Sequence, residues 1–183
     1  MITFDKKGKI NTDSVLEEVK KKIQETGIKN IVLATTSGET ALKAREIFGE
    51  NVNIIAVRHC TGLKEANVQN MPEANEKKLQ EKNIEILTAT HAMGALGRAV
   101  RMRLGTYSID EIIAQTLKVF GDGVKVCMEI SLMAADAGLI KTTEDIIAIG
   151  GTGKGADSAM RLQAANTHKF FDLKAREIYC KPE

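Results

Sequence analysis

The chain has no tryptophan and an aromatic content of only 4%. Flat apolar surfaces on which nucleobases stack are therefore scarce. No sign of charge dominates: 26 Lys and Arg stand against 24 Asp and Glu, interleaved rather than gathered into a basic block. Nucleic acid is not an expected partner on either count. No apolar run approaches the ~20 residues that a membrane span needs, and the N-terminus, MITFDKKGKINTD, is polar with no secretory apolar core. No membrane association is expected. Cys60, Cys127 and Cys180 form no CxxC pair, a pattern that fits a reducing cytoplasm and argues against a disulfide framework or zinc ribbon. His59, His91 and His168 lack HExxH-type spacing, so no metal site is expected. GxxxxGK[ST] is absent, which removes the P-loop reading, and no GxGxxG turn follows the first strand, which weakens a dinucleotide reading.

What remains is an ordinary globular composition, 43% hydrophobic and 27% charged over 183 residues. That length suits one domain, residues 1–183, with a full core. Helical and strand patterns alternate, which predicts an α/β fold: a three-layer α/β/α sandwich on a mostly parallel sheet, with antiparallel C-terminal strands. Helices are predicted over Asn11–Thr26, with Ser14 and Glu17 as a capping box and Gly27 as stop, then over Gly38–Phe48, Glu73–Lys82, Ile109–Phe120 and Val124–Ala137. Met93, Leu96, Val100 and Leu104 keep helical spacing within Ala89–Tyr107 and predict the apolar face of a further short helix. Strands are predicted at Ile31–Thr35, Asn53–Val57, Ile84–Thr88 and Ile146–Ile149, with Ala156–Ala165 returning antiparallel and Lys174–Lys181 as a last edge strand.

Ligands of open parallel sheets bind beyond the carboxyl ends of the strands. After the first strand comes Thr35-Thr36-Ser37-Gly38-Glu39-Thr40, four hydroxyls in six residues leading into a helix. Side-chain hydroxyls and the free N–H groups of a helix N-terminus are the ingredients of a phosphate cradle. Helix capping by Ser37 or Thr36 is the simpler alternative. After the second strand come Arg58, His59 and Cys60. After the third come His91 and then Arg98, Arg101 and Arg103, in a stretch from Ile86 to Ile109 without an acidic residue. After the fourth comes Gly150-Gly151-Thr152-Gly153-Lys154-Gly155. All four ends supply hydroxyls, close-approach glycines or cations, and together they predict an anion-binding rim.

Two stretches carry a resemblance. IVLATTSGETALKAREIFGENVNIIAV and VKVCMEISLMAADAGLIKTTEDIIAIGGTGKGADSAMRLQAA resemble the first and last units of the C-terminal α/β domain of pyruvate kinase, collinear over about Asp13–Ala165. The resemblance implies that fold. In the allosterically regulated enzymes a T-x-S-G-x-[TS] loop holds one phosphate of a sugar bisphosphate, and a late glycine-rich turn closes the site. Thr35, Ser37, Gly38 and Thr40 match the loop, with Thr36 in its variable place, and Gly153, Lys154 and Gly155 match the turn. With no room for a catalytic barrel, the chain resembles a stand-alone prokaryotic, largely archaeal, member. The same six-residue loop is similar to the phosphate loop of flavodoxins, which brings in flavin mononucleotide (FMN), although Tyr107 is the one aromatic in the middle loops to sandwich a flavin ring.

The leading expectation is a cytoplasmic protein that binds a phosphorylated small molecule, FMN or a sugar phosphate, as sensor or flavoprotein. The expected contacts are Thr35, Thr36, Ser37, Gly38, Thr40, His59, His91, Arg98, Gly151, Gly153 and Lys154. The alternative is a hydrolase or isomerase of a phosphorylated metabolite with His91 or His59 as acid–base, since histidine titrates near neutrality. No carboxylate is spaced to orient His91. A third possibility is an oligomerisation module with a vestigial anion site, and a homo-oligomer is compatible with any of these.

Overall fold

The computed structural model describes residues 1–183. Its strands and helices run β1 (Ile2–Phe4), α1 (Thr12–Thr26), β2 (Asn30–Ala34), α2 (Glu39–Phe48), β3 (Asn53–Arg58), α3 (Glu73–Glu81), β4 (Glu85–Thr88), α4 (Ala95–Leu104), α5 (Ile109–Leu117), α6 (Asp122–Asp136), β5 (Asp145–Gly150), β6 (Ser158–Gln163) and β7 (Lys174–Pro182). Seven strands form one sheet in the order β1-β7-β6-β5-β2-β3-β4. The pairs β2–β3, β2–β5 and β3–β4 are parallel, and β6 is antiparallel to both β5 and β7. The expected mostly parallel sheet with antiparallel C-terminal strands is present. Lys174–Lys181 is not the edge: β1 pairs parallel with β7 outside it. Three residues are too few to show a strand period, so β1 left no readable pattern.

Successive side chains on a strand face opposite ways, and each buried strand here feeds two cores. On one face, Ile31, Leu33, Ile54, Ala56, Ile147 and Ile149 pack under α1, α2 and α3, which contribute Val15, Leu16, Val19, Ala41, Ala44 and Leu79. On the other, Val32, Ile55, Val57, Ile146 and Ala148 pack under α6. The result is the expected α/β/α layering. Helix α6 is apolar almost all round and nearly all buried, because α5 and the 3-10 segment Thr167–Asp172 cover its outer side. No helix is long and apolar enough to cross a membrane.

Two local expectations fail for identifiable reasons. The Ser14–Glu17 capping box does not form, because α1 begins at Thr12 and Ser14 lies inside the first turn. Thr12 Oγ1 instead accepts the Ala156 N–H at 3.0 Å and donates to Lys9 O at 2.8 Å, fastening α1 to the β5–β6 turn. Of the Met93-Leu96-Val100-Leu104 stripe, only Met93, which precedes α4, joins the core. Only Gly97 of α4 is buried, and it packs on Ser108 and Asp110 at the start of α5, so Leu96 and Leu104 stay 79% and 70% exposed. Helix α5 is likewise buried through Glu111 and Ala114, while Ile109 and Ile112 are exposed.

The order of strands reverses at β2. The chain leaves β2 through α2 to β3 and β4 on one side, then returns through α6 to β5 on the other. The β2–α2 loop and the β5–β6 turn therefore leave neighbouring parallel strands at the same sheet edge, the place where a crevice opens in such folds. The turn is braced by Asp157, which is 0% exposed. Its carboxylate accepts the N–H of Gly8 at 2.8 Å, the N–H of Thr152 at 3.0 Å and the Ser158 hydroxyl at 2.9 Å. Leaving buried donors unpaired costs about 1–3 kcal/mol each. Asp157→Ala is therefore expected to lower the unfolding free energy in urea by about 2 kcal/mol or more. A loss below about 0.5 kcal/mol would show that the carboxylate does not hold the turn.

Candidate functional site

The β2–α2 loop is held in place before any ligand is considered. Thr35 N–H donates to Val57 O at 2.9 Å, and Thr35 Oγ1 accepts the Gly38 N–H at 3.0 Å. Gly38 has φ +90, and a Cβ there would crowd Leu79 and Asn75 of α3. Asn75 Nδ2 donates to Ser37 O at 2.8 Å. The Thr35 hydroxyl thus closes the turn, α2 starts at Gly38 without a side-chain cap, and Ser37 and Thr40 line the cleft. The first intrahelical bond closes at Leu42 N–H to Gly38 O, so the N–H groups at the front of α2 have no carbonyl partner. Glu39 N–H has only Ser37 Oγ, at 3.5 Å. Thr40 is 8% exposed, lines the cleft, and its hydroxyl has no protein hydrogen bond.

Across the switch point stands the β5–β6 turn. Gly155, at φ +73, is where it touches the N-terminal segment: a Cβ would stand 2.5 Å from Thr12 Oγ1 and 2.7 Å from Lys9 Cα. The loop and the turn line one cleft of about 770 Å3. Lys9, Lys43 and Lys154 border it. Lys9 pairs with Glu39 at 3.0 Å and Lys43 with Asp13, whereas Lys154 has no ion-pair partner. The loop end of the cleft therefore keeps one uncompensated lysine beside the partial positive charge of the α2 N-terminus.

The other end of the cleft is built on histidine. His59 Nε2 lies 3.3 Å from Thr36 Oγ1, and His59 Nδ1 lies 3.2 Å from His91 Nε2, with the rings edge-on at 85°. Glu129 of α6, 5% exposed, also lines the cleft. Its carboxylate accepts the Met93 N–H at 3.0 Å and the Lys125 ammonium at 2.5 Å. Burial holds both imidazoles below the ordinary histidine range. For His59, the charges of His91, Lys64 and Arg98 add to that; for His91, Glu129 opposes it while Arg98 and Lys125 support it. Arg58, which also lines the cleft, is spent on Glu76 in a two-pronged pair at 2.7 and 3.1 Å.

Of the residues expected from sequence, Thr35, Thr36, Ser37, Thr40, His59, His91, Gly151, Gly153 and Lys154 line this cleft. Gly38 sits behind the loop and shapes it. Arg98 is exposed and outside the lining, because α4 stands off the sheet, although its charge reaches both imidazoles. Tyr107 lies away from the cleft as well, against Arg101. Glu129 is a carboxylate of the cleft that the sequence reading did not include; it binds Met93 N–H and Lys125 and acts on His91 only through its charge. Lys125 and Glu129, four apart inside an otherwise apolar helix, were the readable signal, since buried charges occur in pairs. Lys9, Lys43, Asp13 and Glu39 were missed because surface charges carry no such mark.

The histidines give a pH expectation with a definite sign. Their proton affinity is lower folded than unfolded, so the unfolded chain binds more protons below about pH 6.5. Stability is complete above that pH and falls as the pH drops toward the folded-state values. Urea unfolding of the wild type should weaken between about pH 7 and pH 5.5, and His59→Asn with His91→Asn should flatten that slope. An unchanged slope in the double variant would place the titrating groups elsewhere.

The sequence matches the family model described as the pyruvate kinase alpha/beta domain over residues 13–162. Among solved structures, it is similar to the NH3-dependent NAD synthetase from Campylobacter jejuni subsp. jejuni NCTC 11168, in complex with the nitrate ion. The identity is 15% and the TM-score 0.39, over 77% of this chain and 55% of that one. The match thus spans about half the length of that protein.

Proposed function

We propose, from the premise that this chain belongs to the pyruvate kinase alpha/beta-domain family, that it binds a phosphorylated small molecule at the carboxyl edge of its sheet, in the cytoplasm. The observation that carries this reading is one cleft lined from both sides of the switch point. On one side are the open N-terminus of α2 and the hydroxyls of Thr36, Ser37 and Thr40; on the other is Lys154 on a glycine-rich turn. Backbone N–H groups, hydroxyls and an unpaired ammonium are what a phosphate group requires. The lining contains no Phe, Tyr or Trp. Its apolar wall is aliphatic, from Val57, Val126, Ile130 and Met133. That supports a sugar phosphate over FMN, whose ring system favours aromatic faces.

Thermal shift with sugar phosphates, FMN and inorganic phosphate tests the reading. A phosphorylated ligand should raise the melting temperature, and Ser37→Ala with Thr40→Ala should remove the shift while leaving the apo melting temperature nearly unchanged. Hydrogen bonds to a charged group are worth about 1.5–3 kcal/mol each, so losing two weakens binding by a hundredfold or more. Lys154→Ala should weaken the same ligand and flatten its salt dependence. An undiminished shift in the Ser37/Thr40 variant would sink the assignment.

The Thr36–His59–His91 chain, with Glu129 beside it, supports a second reading: a hydrolase or isomerase acting on the bound metabolite. A neutral imidazole near pH 7 is a competent general base. In that case His91→Asn should cost roughly 10²–10⁴ in turnover with little change in ligand affinity. A screen of sugar phosphates and mononucleotides in which none is consumed would leave the binder.

A further inference from the structure

The two ends of the cleft are joined by one side chain. Thr36 belongs to the hydroxyl loop, yet its Oγ1 is 3.3 Å from His59 Nε2, and His59 Nδ1 is 3.2 Å from His91 Nε2. A hydrogen bond between two ring nitrogens needs one N–H and one bare nitrogen. The four nitrogens of the pair therefore carry two protons when neutral and three when charged. A fourth would set two N–H groups against each other across that 3.2 Å contact. In the neutral pair, His59 Nε2 is either bare or protonated. When it is bare, Thr36 spends its O–H on the imidazole and turns a lone pair toward the cleft. In the charged pair, Nε2 always bears hydrogen. It donates to Thr36 Oγ1, and the Thr36 O–H is released toward whatever sits on the loop.

The charge balance points the same way. With Lys9 on Glu39 and Lys43 on Asp13, the loop end of the cleft offers Lys154 and about +0.5 from the α2 N-terminus. That is about +1.5, which matches a phosphate monoester at its lower charge of about −1.5 and falls short of the full dianion at about −2. One proton on the histidine pair makes up the difference. We infer, on the reading that this cleft binds phosphate, that its ligand is a terminal phosphate monoester rather than a diester, and that the His59–His91 pair takes up one proton as the dianion seats on the Thr35–Thr40 loop.

The other groups around the pair are accounted for. From α6, Glu129 is engaged by Met93 N–H and Lys125. Lys64 from the loop after β3 and Arg98 from α4 add positive charge. Arg58 at the end of β3 is neutralised by Glu76 of α3. The free pair is thus kept uncharged near neutrality, and an arriving dianion is what makes protonation favourable. Site affinity then depends on pH by up to one proton, roughly tenfold per pH unit in the window between the free and bound titrations.

Sulfate is the probe, because it is a tetrahedral dianion that does not titrate across this range, whereas phosphate does. The full chain is titrated with sulfate from about pH 7.5 to pH 5.5 while the imidazole C–H signals are followed by NMR. Binding should tighten about tenfold or more as the pH falls, and sulfate should raise the apparent pKa of one of the two cleft histidines. His168→Gln should keep this behaviour. His59→Asn and, separately, Thr36→Val should bind sulfate with little pH dependence. The wild-type NMR titration decides the matter even where a variant does not fold. Sulfate binding that needs Ser37 and Thr40 but ignores pH overturns the proton coupling and leaves the anion site standing. No sulfate binding at either pH, or binding indifferent to Ser37→Ala with Thr40→Ala, removes both.

Discussion

The parallel pairing of β2 with β5 is the constraint on which the rest of this molecule depends. Ile31, Val32 and Leu33 stand in register with Ile147, Ala148 and Ile149, strands that lie far apart in the chain. Everything between them, from α2 to α6, is the excursion that this pairing closes. The pairing places the end of β2 beside the end of β5, and so puts the hydroxyl loop next to the glycine-rich turn. The chain leaves β2 into α2 on one face and enters β5 from α6 on the other, so a crevice opens at the carboxyl edge between them.

The crevice is polar because the fold has little else to put there. Strand ends expose backbone N–H and C=O groups that must find partners, and the chain meets the demand with short side chains on its own loops. Thr35 closes its turn onto the Gly38 N–H, Thr12 bridges to Ala156, and Asp157 gathers the donors of the turn and the N-terminal segment. Once those internal needs are met, Ser37, Thr40 and Lys154 remain, with Thr36 shared with His59. The electrostatics follow the same logic. Lys9, Lys43, Arg58 and Lys125 each have a carboxylate within reach, so the field in the cleft comes from a small residue of uncompensated charge and not from the number of cations around it.

Helix α6 shows how the second layer enters the site. Buried on nearly every side, it carries Lys125 and Glu129 as a compensated pair that costs less to bury than either charge alone. Because Glu129 also binds the Met93 backbone, it fixes the segment that presents His91. The apolar wall of the cleft, Val126, Ile130 and Met133, comes from the same helix face.

The sequence by itself determined the layers, the order of strands and helices from α1 to β7, and the hydroxyls and glycines that stand at the carboxyl edge of the sheet. Those features are written in local patterns: unbroken apolar runs on strands buried from both faces such as Ile31–Ala34, an apolar stripe such as Val15-Leu16-Val19, and glycines at helix stops such as Gly27, at φ +71. Hydroxyls and glycines placed after strands are legible for the same reason, since a parallel sheet sends all its carboxyl ends to one edge. Tertiary structure alone decided what depends on contacts between distant segments. It decided that Arg98 stands outside the cleft, that α4 rests on Gly97 rather than on its leucines, that β1 takes the edge, and that His59, His91 and Thr36 form one hydrogen-bonded chain beside Glu129. A single sequence records which side chains are available. Which of them meet is set by how helices seat on a sheet, where a shift of a few ångströms separates a ligand from a bystander.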